Sequence, residues 1–221
     1  MSVKTQILGS GIYTAREAAR LAHTNTVSVL RWTRGSGPTA PLWNSYYSEL
    51  DDSREISFLD LMEVRVVVAF RNKGLSLQSI RFAIELAQKK FNIDRPLSSA
   101  TFNTDGTEIF MEALEYETGL FSMDKRSAGQ KVFKEVIGQS LLDLEYEGIR
   151  PVRWKPRKNK HVVIDPTRAF GDPILSEYGV STKTLADEYK LFSDYKYLSN
   201  IYEIPIKQIK DAINFEERLD G

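Results

Sequence analysis

Apolar residues near the start of the chain recur at helical spacing in two short runs. In the first run Thr14 precedes Glu17 by three residues, which is the capping-box pattern that opens a helix. A face of small apolar residues follows at helical spacing: Ala15, Ala18, Ala19 and Leu21. In the second run Thr24 or Asn25 can cap a helix that turns Val27 and Leu30 inward, together with Val29. Two short helices joined by a turn of about three or four residues predict a helix-turn-helix.

The segment after this helix pair loses the helical spacing. Gly and Pro residues in 35–47 exclude a helix there, and two short extended arms would form a wing beside the helix pair. The large residues on these arms are Leu42, Trp43, Tyr46 and Tyr47. Alternatively these residues cover the edge of the core, and for Trp43 the sequence favours that alternative.

Helical spacing returns at Ile56 and continues almost to Pro96. Ile56, Leu59, Met62, Val66 and Phe70 recur at steps of three or four, and Gly74 ends this helix. Ser76 caps the next helix, whose buried face is Leu77, Ile80, Ile84, Ala87 and Phe91. Residues 1–97 therefore form the first predicted domain.

Residues 98–155 predict an extension that contains β structure. The dipeptide Asp105-Gly106 lies between apolar runs, which is a strong short-range signal for a β-hairpin. Gln130–Leu144 predicts a helix, and residues 146–154 predict a second short hairpin. The polar and basic residues 156–160 are the predicted linker to the last domain.

Residues 161–221 predict a small helical domain with a second helix-turn-helix-like pair. Ser181 or Thr182 caps one helix, and Asp194–Tyr202 is followed by Pro205 at the first position of Ile206–Leu219. The inner faces of this pair are assigned to Leu198, Ile201, Ile204, Ile209 and Ile213. Protein contact or packing is a better expectation than DNA binding here, since the outer face of the last helix mixes both charges.

Composition restricts the class of protein. The chain has 30 basic and 30 acidic residues, no cysteine and no apolar run long enough to span a membrane. These features exclude disulfides and thiolate metal sites, and we expect a cytoplasmic protein. The local charge is +3 over residues 1–50 and +6 over residues 149–160, so these two segments are the electropositive ones.

The outward residues of the second N-terminal helix have the chemistry of a DNA-reading helix. Hydroxyls and an amide can reach base edges or phosphates, and arginines neutralise phosphate charge. The candidate DNA-contacting residues are Thr24, Asn25, Thr26, Ser28, Arg31 and Arg34, with Trp43 of the wing as a further candidate. An ordinary packed helix pair with a solvated face remains the alternative.

The order of these segments resembles known families over nearly the whole chain. Residues 13–34 with 56–87 resemble the MerR-type helix-turn-helix, wing and helix pair. Ile164-Asp165-Pro166, Gly171-Asp172-Pro173-Ile174 and the closing helix resemble domain-of-unknown-function family 433. With residues 101–110 and 129–137 between them, the combination is similar to VapB-like antitoxins. The fold implied is mainly α with small β elements: a MerR-like winged helix-turn-helix with a β-hairpin extension, and a small C-terminal helical domain.

This resemblance implies a DNA-binding antitoxin of a bacterial toxin–antitoxin pair. Such a protein would neutralise a PIN-like ribonuclease toxin and repress its own operon, binding operator DNA as a homodimer. A MerR-like regulator without a toxin partner, and a protein-interaction module that does not bind DNA, stay open as alternatives. We expect no enzymatic activity, no metal site and no cofactor, because no phosphate-binding loop, ligand-spaced histidine pair or catalytic constellation occurs.

Six basic residues and no acid occupy Arg150–Lys160. A PIN-like ribonuclease gathers carboxylates around a metal, and such carboxylates attract guanidinium groups. Arg153 or Arg157 could therefore enter the toxin's site, with Trp154 packed on its rim. A solvated strand end with a linker, and an arm that contacts DNA phosphates, are the two alternatives.

Overall fold

The structure is a computed structural model that describes residues 9–48, 53–118, 123–156 and 159–220, without the side chains of 116–118 and 123–128. Nine α-helices and four short strands lie within these residues. The helices are α1 Ala15–Leu21, α2 Thr26–Arg34, α3 Phe58–Asn72, α4 Leu77–Phe91, α5 Ala100–Thr118, α6 Met123–Leu141, α7 Thr182–Phe192, α8 Tyr195–Tyr202 and α9 Ile206–Asp220. The strands are β1 Leu144–Glu147, β2 Arg150–Trp154, β3 Val162–Ile164 and β4 Pro173–Leu175.

The chain divides into two compact units. The N-terminal unit contains the described residues of 13–142 and 146–151, and the C-terminal unit contains those of 1–12, 143–145 and 152–221. The strands form one sheet in the order β1-β2-β3-β4. Strands β2, β3 and β4 are antiparallel neighbours, with Trp154 opposite Ile164 and Val163 opposite Ile174. The fold is therefore mainly helical with a small antiparallel sheet, as the sequence predicts.

The core of the N-terminal unit is built from aromatic side chains on α3, α5 and α6. The Phe70 and Phe110 ring centroids are 3.9 Å apart, and the Phe110 and Phe133 centroids are 5.6 Å apart. All three side chains are at most 3% exposed. Burying side chains of this size contributes about 1.5–3 kcal/mol each to folding, so the cluster fixes how the three helices pack.

The β-hairpin predicted at Asp105-Gly106 is wrong, because these residues lie inside α5. The backbone N–H of Phe102 donates to the Ser99 hydroxyl at 3.2 Å, a bond of the kind that caps a helix. Phe102, Ile109 and Phe110 recur at helical spacing and are buried. Packing of this face outweighs the local turn preference of an Asp-Gly pair.

The two extended arms predicted within residues 35–47 are also wrong. The segment contains one isolated bridge, between Ser36 and Thr39, and otherwise consists of turns, bends and irregular backbone. Gly35 has a φ of +80°, and a Cβ there would lie 2.4 Å from the Thr39 carbonyl oxygen. The tight turn after α2 thus requires glycine, and side-chain anchors rather than a strand ladder hold the residues that follow.

The remaining helices agree with the predicted positions to within a few residues at most ends. Ser76 caps α4 through the N–H of Ser79 at 3.0 Å, and Pro205 precedes α9. The helix predicted to start at Gln130 begins earlier, at Met123. The hairpin predicted over 146–154 corresponds to β1 and β2, which meet at Gly148.

Candidate nucleic-acid interface

Helix α1 begins with the capping box that its sequence predicts. The N–H of Glu17 donates to the Thr14 hydroxyl at 3.2 Å, and the Glu17 carboxylate accepts from the N–H of Thr14 at 2.9 Å. Ala15, Ala18 and Ala19 are at most 8% exposed. Side chains this small let α1 lie close against its neighbours, so α1 and α2 form the compact helix pair that the sequence predicts.

Helix α2 is capped by Asn25 in the way expected of its amide oxygen. Asn25 Oδ1 accepts from the N–H of Ser28 at 2.8 Å, while the side chain stays exposed. The cap occupies the oxygen and not the amide nitrogen, which lies on the same exposed side chain. Thr24, Thr26 and Ser28 are partly exposed around it. These residues present hydroxyl and amide groups at the start of the helix.

The buried face of α2 differs from the predicted one. Val29 is fully buried and Trp32 is 5% exposed, whereas Val27 is 74% exposed. The prediction that Val27 faces inward is therefore wrong, and Leu30 is only partly buried. Trp32 decides the orientation, because its large ring gains more by burial than a valine does.

The two arginines of α2 have different environments. Arg31 is exposed on the outer face, one turn after Val27. The Arg34 guanidinium instead donates to the Ser53 carbonyl oxygen within the N-terminal unit. Arg34 also helps, after the Ser53 hydroxyl and backbone groups, to hold the pKa of Glu55 below its ordinary value. Arg31 is therefore the arginine of α2 best placed to meet a phosphate.

Trp43 is a core residue, in line with the favoured alternative. It is 4% exposed, and its Nε1–H donates to Asp60 Oδ1 at 2.9 Å. Asp60 also accepts from Arg95 Nε at 2.6 Å, from the Tyr46 N–H at 3.1 Å and from the Ser57 hydroxyl at 2.9 Å. Because a side chain so enclosed does not reach a ligand, we leave Trp43 out of the proposed interface.

Sequence reasoning missed Asp60, although a local signal was present. Ser57-x-x-Asp60 before an apolar run is a capping box, and both of its hydrogen bonds form at the start of α3. The carboxylate of Asp60 is fully buried, and it binds groups that lie 14 and 35 residues away along the chain. No sequence pattern predicts those distant partners. The charge of Asp60 is thus used to hold the 43–46 segment against α3.

Another predicted site is the basic segment, whose described residues from Val152 onward lie in the C-terminal unit, whereas Arg150 and Pro151 belong to the N-terminal unit. Arg153 pairs with Asp165 at 2.9 Å and with Glu145 at 2.8 Å, and these carboxylates raise its pKa. Burial raises the pKa of Asp165, but bonds from Thr167 and Arg153 outweigh it, so that pKa lies below its ordinary value. Arg153 therefore already has two acidic partners within its own unit.

Two other residues of the basic segment, Trp154 and Asn159, are buried within the C-terminal unit. Trp154 is 6% exposed, and its Nε1–H donates to the Asp143 carboxylate at 2.6 Å. Arg157 lies outside the described residues. Asn159 is buried and donates to the Asp211 carbonyl oxygen. The described part of the segment is thus anchored to its unit, and Trp154 is not presented as a rim residue.

None of the described residues form a group of three or more His, Asp or Glu that could hold a metal ion. Among the described helices, none is long and apolar enough to cross a membrane.

Comparisons with known proteins identify a distant sequence relative and a structure with the same fold. No family model matches the chain. A Mycobacterium tuberculosis (strain H37Rv) protein named "Putative antitoxin VapB45" is 23% identical over 223 residues, and the match covers 92% of each chain. The crystal structure of Rv2018 from Mycobacterium tuberculosis aligns with a TM-score of 0.72 at 21% identity, over 91% of this chain and 96% of that one. The structural match indicates a shared fold along nearly the whole length.

Proposed function

We propose that the chain is the DNA-binding antitoxin of a toxin–antitoxin pair, and that it represses its own operon as a homodimer. The observation that carries the DNA-binding part is the outer face of α2. This helix is capped by Asn25, fixed by buried Val29 and Trp32, and presents Arg31 to solvent. The toxin–antitoxin part is supported by the distant relative, whose name is that of an antitoxin and whose match spans nearly both chains.

On this proposal α2 lies in the major groove. Arg31 neutralises a backbone phosphate, while Asn25 and Ser28 contact base edges. Thr24 and Thr26 lie at the start of the helix, where hydroxyls can bond to phosphate oxygens. Arg34 stays a candidate DNA contact second to Arg31, because its guanidinium already donates to the Ser53 carbonyl oxygen.

Gel-shift titrations at two salt concentrations with the DNA upstream of the gene test this part. Arg31→Ala should weaken binding to all sequences and lower the salt slope by about one. Lys89→Ala is the matched control, since Lys89 is an exposed basic residue at the end of α4. Unchanged binding and salt slope in Arg31→Ala would reject the assigned role of α2.

To test whether Asn25 recognises a base, the variant must keep the helix cap that Asn25 provides. Asn25→Ser retains a capping oxygen but removes the amide, so the helix should form while base preference relaxes. A good base contact is worth roughly 1–3 kcal/mol, which selection from a random DNA pool would detect. If the Asn25→Ser variant selects the same preferred DNA sequence as the wild type, Asn25 does not contact a base edge.

The toxin partner expected on this proposal is a PIN-like ribonuclease encoded beside this gene. Arg153 and Arg157 remain the proposed contacts, although Arg153 would have to exchange its pairs with Glu145 and Asp165. Arg157→Ala is therefore the cleaner variant, and it should release ribonuclease activity in co-expression while leaving DNA binding intact. DNA binding without any toxin neutralisation would instead favour a regulator that has no toxin partner. Neutralisation without DNA affinity would favour a pure interaction module.

A further inference from the structure

Four large apolar side chains are exposed on α7 and α8. Leu191 is 77% exposed, Phe192 51%, Tyr197 40% and Ile201 53%, although Ile201 was predicted to face inward. The rings of Phe192 and Tyr197 are 4.8 Å apart, and Tyr197 and Ile201 are four residues apart on one face of α8. We call these four residues the apolar patch. Contiguous exposed apolar surface of this kind marks protein contacts more often than isolated exposed residues do.

The polar groups around the apolar patch are largely satisfied within the unit. Lys190 pairs with Asp187 at 3.1 Å, and the Tyr202 hydroxyl donates to Glu188 at 2.6 Å. The Asp194 carboxylate caps α8 through two backbone N–H groups. The surface thus presents little uncompensated charge of one sign. Such a surface suits neither a nucleic acid nor a strongly charged protein, whereas a second copy of this chain would present a matching apolar surface.

Two exposed charges at the ends of α8 favour an antiparallel packing of α8 against α8 of a second copy. Lys196 lies in the first turn of α8, and Glu203 lies at its C-terminal cap, two turns further on. Both charges oppose the helix macrodipole, which favours acids at the N-terminus and bases at the C-terminus. In an antiparallel pair of α8 helices, Lys196 of each copy would face Glu203 and the carboxyl end of α8 in the other copy. In such an isologous contact, the charges of Lys196 and Glu203, each unfavourable at its own helix end, are therefore compensated by the opposite charge on the other copy.

We propose that the apolar patch binds a second copy of this chain through an antiparallel, two-fold α8–α8 contact. Tyr197 and Ile201 lie at its centre, Leu191 and Phe192 extend it along α7, and Lys196 and Glu203 pair across it. The inference deepens the proposed function, because a symmetric operator calls for a dimer. Its test uses neither DNA nor toxin, so the α8–α8 contact can fail while DNA binding and toxin neutralisation are retained.

Sedimentation equilibrium of the full chain measures the dimer directly. Ile201→Asp should raise the dissociation constant at least about 100-fold, because two carboxylates would be buried at the contact. Ile149→Asp is the matched control, with 50% exposure against 53% for Ile201, and it should leave the dimer unchanged. Leu191→Asp provides a second variant at a highly exposed position, where the fold does not depend on the side chain. A monomeric wild-type chain, or Ile201→Asp and Leu191→Asp variants that dimerise as the wild type does, would overturn the proposal.

A charge swap tests the orientation. Lys196→Glu alone and Glu203→Lys alone should each weaken the dimer about tenfold, since each introduces two like-charge pairs. The double variant Lys196→Glu, Glu203→Lys should recover most of the wild-type affinity. Additive weakening in the double variant would overturn the antiparallel α8 contact.

Discussion

Glu63 gives the N-terminal unit a stability that depends on pH. Its side chain on α3 is fully buried and accepts hydrogen bonds from the N–H of Leu97 at 3.1 Å and of Ser98 at 2.8 Å. Burial raises the pKa of Glu63 to about 7, although the bonds from Ser98 and Leu97 and the charge of Arg95 act to lower it. The carboxyl group therefore changes charge near neutral pH, at the turn that leads into α5.

The sign of the effect follows from comparing the two states. Below pH 4.5, the ordinary value, Glu63 is protonated both in the folded and in the unfolded chain, and its contribution to stability is fully present. As pH rises toward 7 the unfolded chain ionises first, so the free energy of unfolding falls. A pKa raised from 4.5 to about 7 corresponds to a loss of roughly 3 kcal/mol across this interval.

Urea unfolding between pH 5 and pH 8 measures this slope. In a Trp154→Phe background, the fluorescence comes from Trp32 and Trp43, which both lie in the N-terminal unit. Glu63→Gln stays uncharged but offers one oxygen to two N–H donors, so it should be about 1 kcal/mol less stable at pH 5. Relative to Glu63→Gln, the parent should lose roughly 2–3 kcal/mol by pH 8, and the two stability curves should cross. Parallel curves for the parent and Glu63→Gln would refute the reasoning.

Two further predictions concern packing and charge in the same unit. Gly106→Ala should lower the melting temperature, because its Cβ would lie 2.8 Å from the buried Phe102 ring. Gly138→Ala is the control: its Cβ meets nothing within 4 Å, so the substitution should raise the free energy of unfolding by about 0.5–1 kcal/mol. A stabilising Gly106→Ala, read by circular dichroism, would contradict this account. Arg95→Ala should destabilise the unit by about 3 kcal/mol in urea, because it leaves the fully buried Asp60 carboxylate without its cation, and adding Asp60→Asn should recover part of that loss.

The helices of this fold were predictable because their signals are local. The Thr14–Glu17 capping box and the Ser76 cap each involve residues three positions apart, so a short stretch of sequence contains the whole interaction. The extent of α3 and α4 follows from apolar residues repeated over 15 positions each. Where the interaction and its signal occupy one stretch, sequence and structure agree.

The sequence-based predictions were wrong where residues distant in the sequence determine the local structure. Asp105-Gly106 favours a turn by itself, yet the Phe70, Phe110 and Phe133 rings pack only if residues around it are helical. The candidate site shows the same limit. The burial of Trp32 turns Val27 outward on α2, and periodicity alone gave no weight to ring size.

The outer face of α2, which we propose contacts DNA, is positioned in part by polar interactions far from it in sequence. The N–H of Leu42 donates to the Trp32 carbonyl oxygen at 2.7 Å, which ties the segment after α2 to the end of the helix. The next residue, Trp43, is bound to buried Asp60, and Asp60 is bound to Arg95. A chain of contacts thus runs from α3 to the end of α2, and the residues that would read DNA are positioned by residues that would not touch it. On the proposed function, this buried network and the buried face of α2 together fix the helix that presents Arg31 to a phosphate.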